Sequence, residues 1–111
     1  MSTKKSFSTE TSERYARALF EVSKEGGELE KIEADIKNFQ FLHDSSLELK
    51  NFIENPTNTI EVQNKILNLL SEKLSFSKNL KNFFFLLIKK RRIFFVKKII
   101  INFLKLCSKK R

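Results

Sequence analysis

Apolar residues recur along this chain at helical spacing, in six successive segments. Tyr15, Ala18, Leu19 and Val22 fall at i, i+3, i+4 and i+7, which puts them on one helix face with Ala16 and Phe20 beside them. Thr11 and Ser12 are N-cap candidates before Glu13, whose charge suits the positive end of a helix dipole. Gly26 and Gly27 supply the stop, so a first helix is predicted over about 12–24. A second, over about 28–44, aligns Leu29, Ile32, Ile36 and Phe39, with Glu33 and Lys37 spaced to pair on its outside. Ser45 and Glu48 have capping-box spacing and open a short third helix that ends before Asn55 and Pro56. Asn58 with Glu61 repeats that signal for a fourth helix over about 59–73, expected to bury Ile60, Ile66, Leu67, Leu70 and Leu74. Ser75 and Ser77 precede a fifth over about 77–90. A sixth over about 93–108 carries Val96, Ile99, Ile100, Phe103 and Leu106 as its buried stripe.

No strand-like alternation of period two persists, and no internal repeat or low-complexity linker divides the chain. The reading is an all-α fold, a single compact bundle of about six helices over 12–108, preceded by a loose tail at 1–11 and followed by a basic end at 109–111. Only two Gly and one Pro occur, which agrees with so much helix, and 41% hydrophobic residues suffice for one core. The last two helices hold more apolar residues than one buried face requires: Phe84, Phe85, Ile88, Phe94, Phe95 and Ile101 lie partly outside the stripes. Such a surplus suggests a contact surface for another chain.

The net charge of +9 conceals a division. Residues 1–56 hold 8 basic and 11 acidic side chains, residues 57–111 hold 14 basic and 2 acidic, and no acid follows Glu72. The basic half suits an anionic partner: nucleic acid, lipid head groups or an acidic protein surface. Lys89, Lys90, Arg91 and Arg92, with Lys97 and Lys98 beyond them, form its densest patch, interleaved with Phe and Ile. A solvated helix joint explains the same residues, because cations at the end of the fifth helix suit its dipole. The longest apolar run, residues 83–88, is closed by Lys89 and falls well short of a membrane span. Residues 1–10 resemble neither a secretory signal nor an Arg-rich transit peptide.

Candidate chemistry is sparse. His43 is the only histidine and Cys107 the only cysteine, and neither a Gly-rich phosphate loop nor a metal-ligand cluster is present, so no catalytic residue, metal or cofactor is assigned. His43, near a helix end, reads as a dipole partner or an exposed residue, and Cys107 as a small hydrophobe. The acids read as a solvated face, and a lone cysteine fits a reducing, cytoplasmic setting.

Four stretches carry a family resemblance. Arg14-Tyr15-Ala16-Arg17-Ala18-Leu19-Phe20 resembles the R-Y-A-x-A-L-F opening of the ATP synthase delta subunit family, which includes the mitochondrial oligomycin sensitivity-conferring protein. Phe52-Ile53-Glu54-Asn55-Pro56 is similar to its F-x-x-N-P, and Lys65-Ile66-Leu67 to its fourth helix. Asn82-Phe83-Phe84-Phe85-Leu86-Leu87, continuing to Arg92-Ile93, resembles N-F-L-x-L-L-x-x-x-R-L. The likeness spans about residues 12–106. Arg91 stands where the family has glycine.

The resemblance implies a non-catalytic connector that holds the catalytic head of an F-type ATP synthase to its peripheral stalk and so supports proton-driven ATP synthesis. It implies a helix-in-groove site for the N-terminal helix of an alpha subunit, with Tyr15, Ala18, Leu19 and Val22 facing Asn82, Phe83 and Leu86. Tyr15, Leu19 and Phe83 fit a core equally well. In the family a second domain follows and engages the b-subunit stalk; it is missing from this sequence, which stops at Arg111. The implied location is peripheral, on the cytoplasmic face of the bacterial inner membrane, with membrane association only through the complex and no nucleic acid expected. The alternative is a basic helical protein that binds nucleic acid or an anionic membrane surface.

Overall fold

In the computed structural model, which describes residues 7–110, the helices are α1 (Phe7–Glu25), α2 (Leu29–Ser45), α3 (Leu47–Glu54), α4 (Ile60–Lys73), α5 (Lys78–Lys89) and α6 (Val96–Lys110). A single 3₁₀ turn, Ile93–Phe95, leads into α6, and the described residues include no strand. The all-α expectation holds.

The turns explain where the helices stop. After α1, Glu28 N–H reaches Ser23 O at 2.9 Å and Gly27 N–H reaches Lys24 O at 3.1 Å, with Gly27 at φ 69°. This is a Schellman closure, which needs a left-handed residue and therefore favours glycine. The same pair of bonds closes α4 through Ser75 at φ 54° and α5 through Arg91 at φ 57°. Helix starts are fixed by side chains: the hydroxyls of Ser46, Thr59 and Ser77 each accept from the backbone N–H three residues on, at 3.2 Å. Two of these caps stand one residue beyond the expected Ser45 and Asn58, and the Asn58 amide instead donates to Phe52 O at 2.9 Å.

α1 packs most extensively on α6, with the Phe20 and Phe103 rings edge to face at 6.4 Å. A second aromatic group joins α2 to α5: Phe39 and Phe84 lie 5.0 Å apart, and Phe76 lies 5.6 Å from Phe84. Both Phe39 and Phe84 are fully buried, as is Phe103. The surplus expected on the last two helices thus divides. Phe84 and Ile88 are core, Phe85 and Phe95 are half-buried against it, and only Phe94 and Ile101 are exposed.

Several expectations are corrected. The first helix begins at Phe7, so residues 7–11, expected in the tail, are helical; residues 1–6 lie outside the described residues. Thr11 and Ser12 are not caps but buried positions inside α1. The inward face of α1 is Ser12, Ala16, Leu19 and Ser23, while Ala18 and Val22 of the expected stripe face outward. On α4 the buried row is Gln63, Leu67 and Ser71, and Ile60 is exposed. Ser71 is accommodated because its hydroxyl donates to Leu67 O at 2.8 Å.

Candidate partner-helix groove

The groove is built from the start of α5 outward. Ser77 N–H donates to Asp35 Oδ2 at 3.0 Å, and Lys31 Nζ bridges Asp35 Oδ1 at 2.8 Å and Ser75 O at 2.9 Å. A carboxylate at a helix N-terminus satisfies an otherwise unpaired donor and faces the positive end of the dipole. Asn79 Nδ2 donates to Glu28 Oε1 at 2.8 Å, and it sits 3.5 Å from where a Cβ on Gly26 would stand. The end of α1, the start of α2 and the start of α5 are therefore fastened at one point, from which α1 and α5 run side by side. Asp35 and Glu33 are buried, which corrects the reading of the acids as a solvated face.

Between α1 and α5 lies an apolar groove of about 460 Å³. Leu19 and Phe83, 1% and 8% exposed, make its floor and belong to the core at the same time. Tyr15 stands edge to face on Phe83, with ring centroids 6.3 Å apart and planes at 71°. Ala18, Val22, Asn82 and Leu86 are exposed along the sides. All seven residues singled out in the sequence thus line one concavity. The structure adds Arg14 and Asn79. Spacing alone contained both: Asn79, Asn82, Phe83 and Leu86 are an i, i+3, i+4, i+7 row, and Arg14 precedes Ala18 by one turn.

The basic residues do not form one patch. Arg91 turns back onto the α3–α4 loop, donating to Pro56 O at 2.8 Å and Asn58 O at 3.1 Å. Lys97, expected on the outer side of α6, grips both carboxylate oxygens of Asp44, at 2.6 and 2.8 Å. That hydrogen bond, helped by His43, holds the Asp44 carboxyl below its ordinary range. Lys89, Lys90 and Lys98 are exposed, and Arg92 is half-buried at the start of the 3₁₀ turn. His43 sits in the last turn of α2 as the dipole argument expects, but buried rather than exposed, with Nδ1 3.3 Å from Asp44 Oδ1. Cys107 is buried in the core. Among the described residues there is no group of three or more metal-ligating side chains, and no helix is long and apolar enough to cross a membrane.

A family model described as ATP synthase delta (OSCP) subunit matches residues 11–111. ATP synthase subunit delta of Pelagibacter ubique is 39% identical over 111 residues, covering 100% of this chain and 60% of the relative. The Rhodospirillum rubrum protein of that name is 33% identical with the same coverage. That of Rhizobium johnstonii is 39% identical over 71 residues, 64% of this chain and 38% of its own length. The chain therefore spans at most about 60% of the length of these curated relatives.

Proposed function

Because the chain belongs to the ATP synthase delta (OSCP) subunit family, we propose that it serves an F-type ATP synthase as a static, non-catalytic connector, and that its α1–α5 groove takes the amphipathic N-terminal helix of an alpha subunit. One observation carries the finer part of this reading. The seven residues assigned from the family resemblance line a single groove of about 460 Å³, with an apolar floor and polar edges. An amphipathic helix is read by such a groove through anchors at i, i+3, i+4 and i+7, and Ala18 leaves room for close backbone approach. Tyr15 offers an apolar ring with a polar tip, and Asn79 and Asn82 offer amides at the rim.

A rotary machine needs a tether that resists torque on the head while the rotor turns, so its connector requires slowly dissociating contacts rather than reactive groups. The groove supplies an apolar floor of Leu19 and Phe83 for such contacts. Attachment to the b-subunit stalk belongs in this reading to the family's second domain. The protein would be peripheral at the cytoplasmic face of the bacterial inner membrane, held there by the complex.

Calorimetric titration with a synthetic peptide of about 20 residues from the cognate alpha subunit's N-terminus tests the proposal. Saturable 1:1 binding, lost in an Ala18→Asp variant that keeps its helical spectrum, is the expected result. No binding by the folded wild type, together with salt-sensitive capture of RNA or anionic vesicles, would replace it with the basic-binder reading. That alternative has less to draw on at Arg91, whose guanidinium is directed onto the α3–α4 loop carbonyls, and at Lys97, which is paired with Asp44.

A further inference from the structure

A second concavity lies on another part of the molecule, between α2 and α6. The two helices run antiparallel: Asp44 at the end of α2 meets Lys97 at the start of α6, and Gln40, one turn earlier, faces the cleft with Ile101 and Leu104. The cleft measures about 430 Å³. Its apolar part is Ile101, 38% exposed, with half-buried Leu104. Lys105 and Lys109, one turn apart on α6, border it, and no acid does. Among the described residues neither lysine has an acidic partner, in contrast to Lys97 on Asp44 and Lys37 on Glu33.

We propose that this α2–α6 cleft is a docking site for an acidic amphipathic helix of a partner protein. Three properties select that occupant. The cleft is a shallow concavity lined by Gln40 of α2 and by Ile101, Leu104, Lys105, Ser108 and Lys109, which form one continuous face of α6, the kind of ridge that packs along another helix. Its apolar side chains, Ile101 and Leu104, would meet the partner's nonpolar stripe. Its two cations, which have no acidic partner among the described residues, would meet carboxylates on the flanks of that stripe, steering encounter and fixing register. A second copy of this chain is a poor fit, because two molecules of charge +9 repel. The inference does not depend on what fills the α1–α5 groove.

The test uses the full chain, isotope-labelled, and a designed probe: a helical peptide of about 18 residues with Leu at i, i+3, i+4 and i+7 and Glu on both flanks. It is run in the Ala18→Asp background so that the other groove is blocked. Saturable shifts at the amide signals of Gln40, Ile101, Leu104 and Lys105 are expected. Reversing both charges, Lys105→Glu with Lys109→Glu, should weaken binding about tenfold or more. Ile101→Asp should abolish it, and because Ile101 is partly exposed the helical spectrum should persist. A control peptide with Lys in place of Glu should not bind. Absence of saturable shifts, shifts confined to other helices, self-association of the chain, or binding of anionic vesicles but not the peptide would each overturn the proposal.

Discussion

Arg91 holds the carbonyl of Pro56 at 2.8 Å while its own backbone occupies the left-handed region, at φ 57°. The two facts belong together. The Schellman closure of α5 needs a left-handed residue, and glycine is the residue that adopts it without strain. Arginine there carries a backbone penalty of about 1 kcal/mol, and its guanidinium offsets that by tying the end of α5 to the α3–α4 loop.

This makes an ordering predictable at position 91. Arg91→Ala keeps the strained backbone and loses both hydrogen bonds, whereas Arg91→Gly loses the bonds but relieves the strain. The alanine variant should therefore be less stable than the glycine variant by about 1 kcal/mol, the reverse of their ranking inside a helix. Urea denaturation of the three proteins checks it, and equal midpoints for Ala and Gly would show that the backbone at 91 is not strained.

Asp35→Ala should be among the more damaging substitutions of a charged residue. It leaves the buried Ser77 N–H without its acceptor and removes the partner of Lys31. The expected loss is about 1–3 kcal/mol, the range for an orphaned buried donor. Because Asp35 anchors the start of α5, amide exchange should accelerate at Ser77 and its neighbours before it does in α6. Uniform acceleration across the molecule would mean that Asp35 acts on global stability alone.

Asp35 also marks the boundary of what the sequence made legible. Helix number and order were readable because apolar period and local caps are short-range signals: Gly27 and Ser77 act where they stand. The buried polar positions were not. Asp35 among the acids and His43 read as solvated or exposed because what decides such burial is a neighbour far along the chain, as Ser77 is for Asp35, 42 residues away. The start of α1 was missed for a related reason. Thr11 and Ser12 have cap chemistry, but the core covers them and the helix continues past them to Phe7. The groove residues came from the family resemblance, whereas spacing assigned Ala18 and Val22 to the buried face; only the position of α6 decides which edge of a wide apolar arc is covered.

The pairing of Asp44 with Lys97 has a pH signature. Its carboxyl is held below the ordinary value of 3.8, first by the hydrogen bond from Lys97 and then by His43. With a folded pKa below the unfolded one, the pair contributes stability above the ordinary value and loses it as pH falls through the lowered folded value. Both side chains are part-exposed, at 49% and 38%, so the contribution to stability is small. The titration itself is the better readout. In Lys97→Ala, the Asp44 carboxyl carbon followed by NMR should titrate at higher pH than in the wild type. An unchanged midpoint would mean that the 2.6 Å contact does not persist in solution.

Ala18 and Leu19 are adjacent, and the structure gives them opposite roles. Ala18 is exposed at the side of the α1–α5 groove, and Leu19 is 1% exposed at its floor. Ala18→Asp puts a charge where the partner helix would approach and disturbs no packing, so it should abolish alpha-peptide binding while changing stability by less than about 0.5 kcal/mol. Leu19→Ala removes a buried side chain and should cost about 2–5 kcal/mol. If enough folded protein survives, its peptide affinity should fall less than that of Ala18→Asp, since the rim residues remain. The two variants compared by calorimetric titration and thermal unfolding separate groove from core. A Leu19→Ala protein of unchanged stability would show that the floor is not packed, and an Ala18→Asp protein that still binds would move the partner helix off this groove.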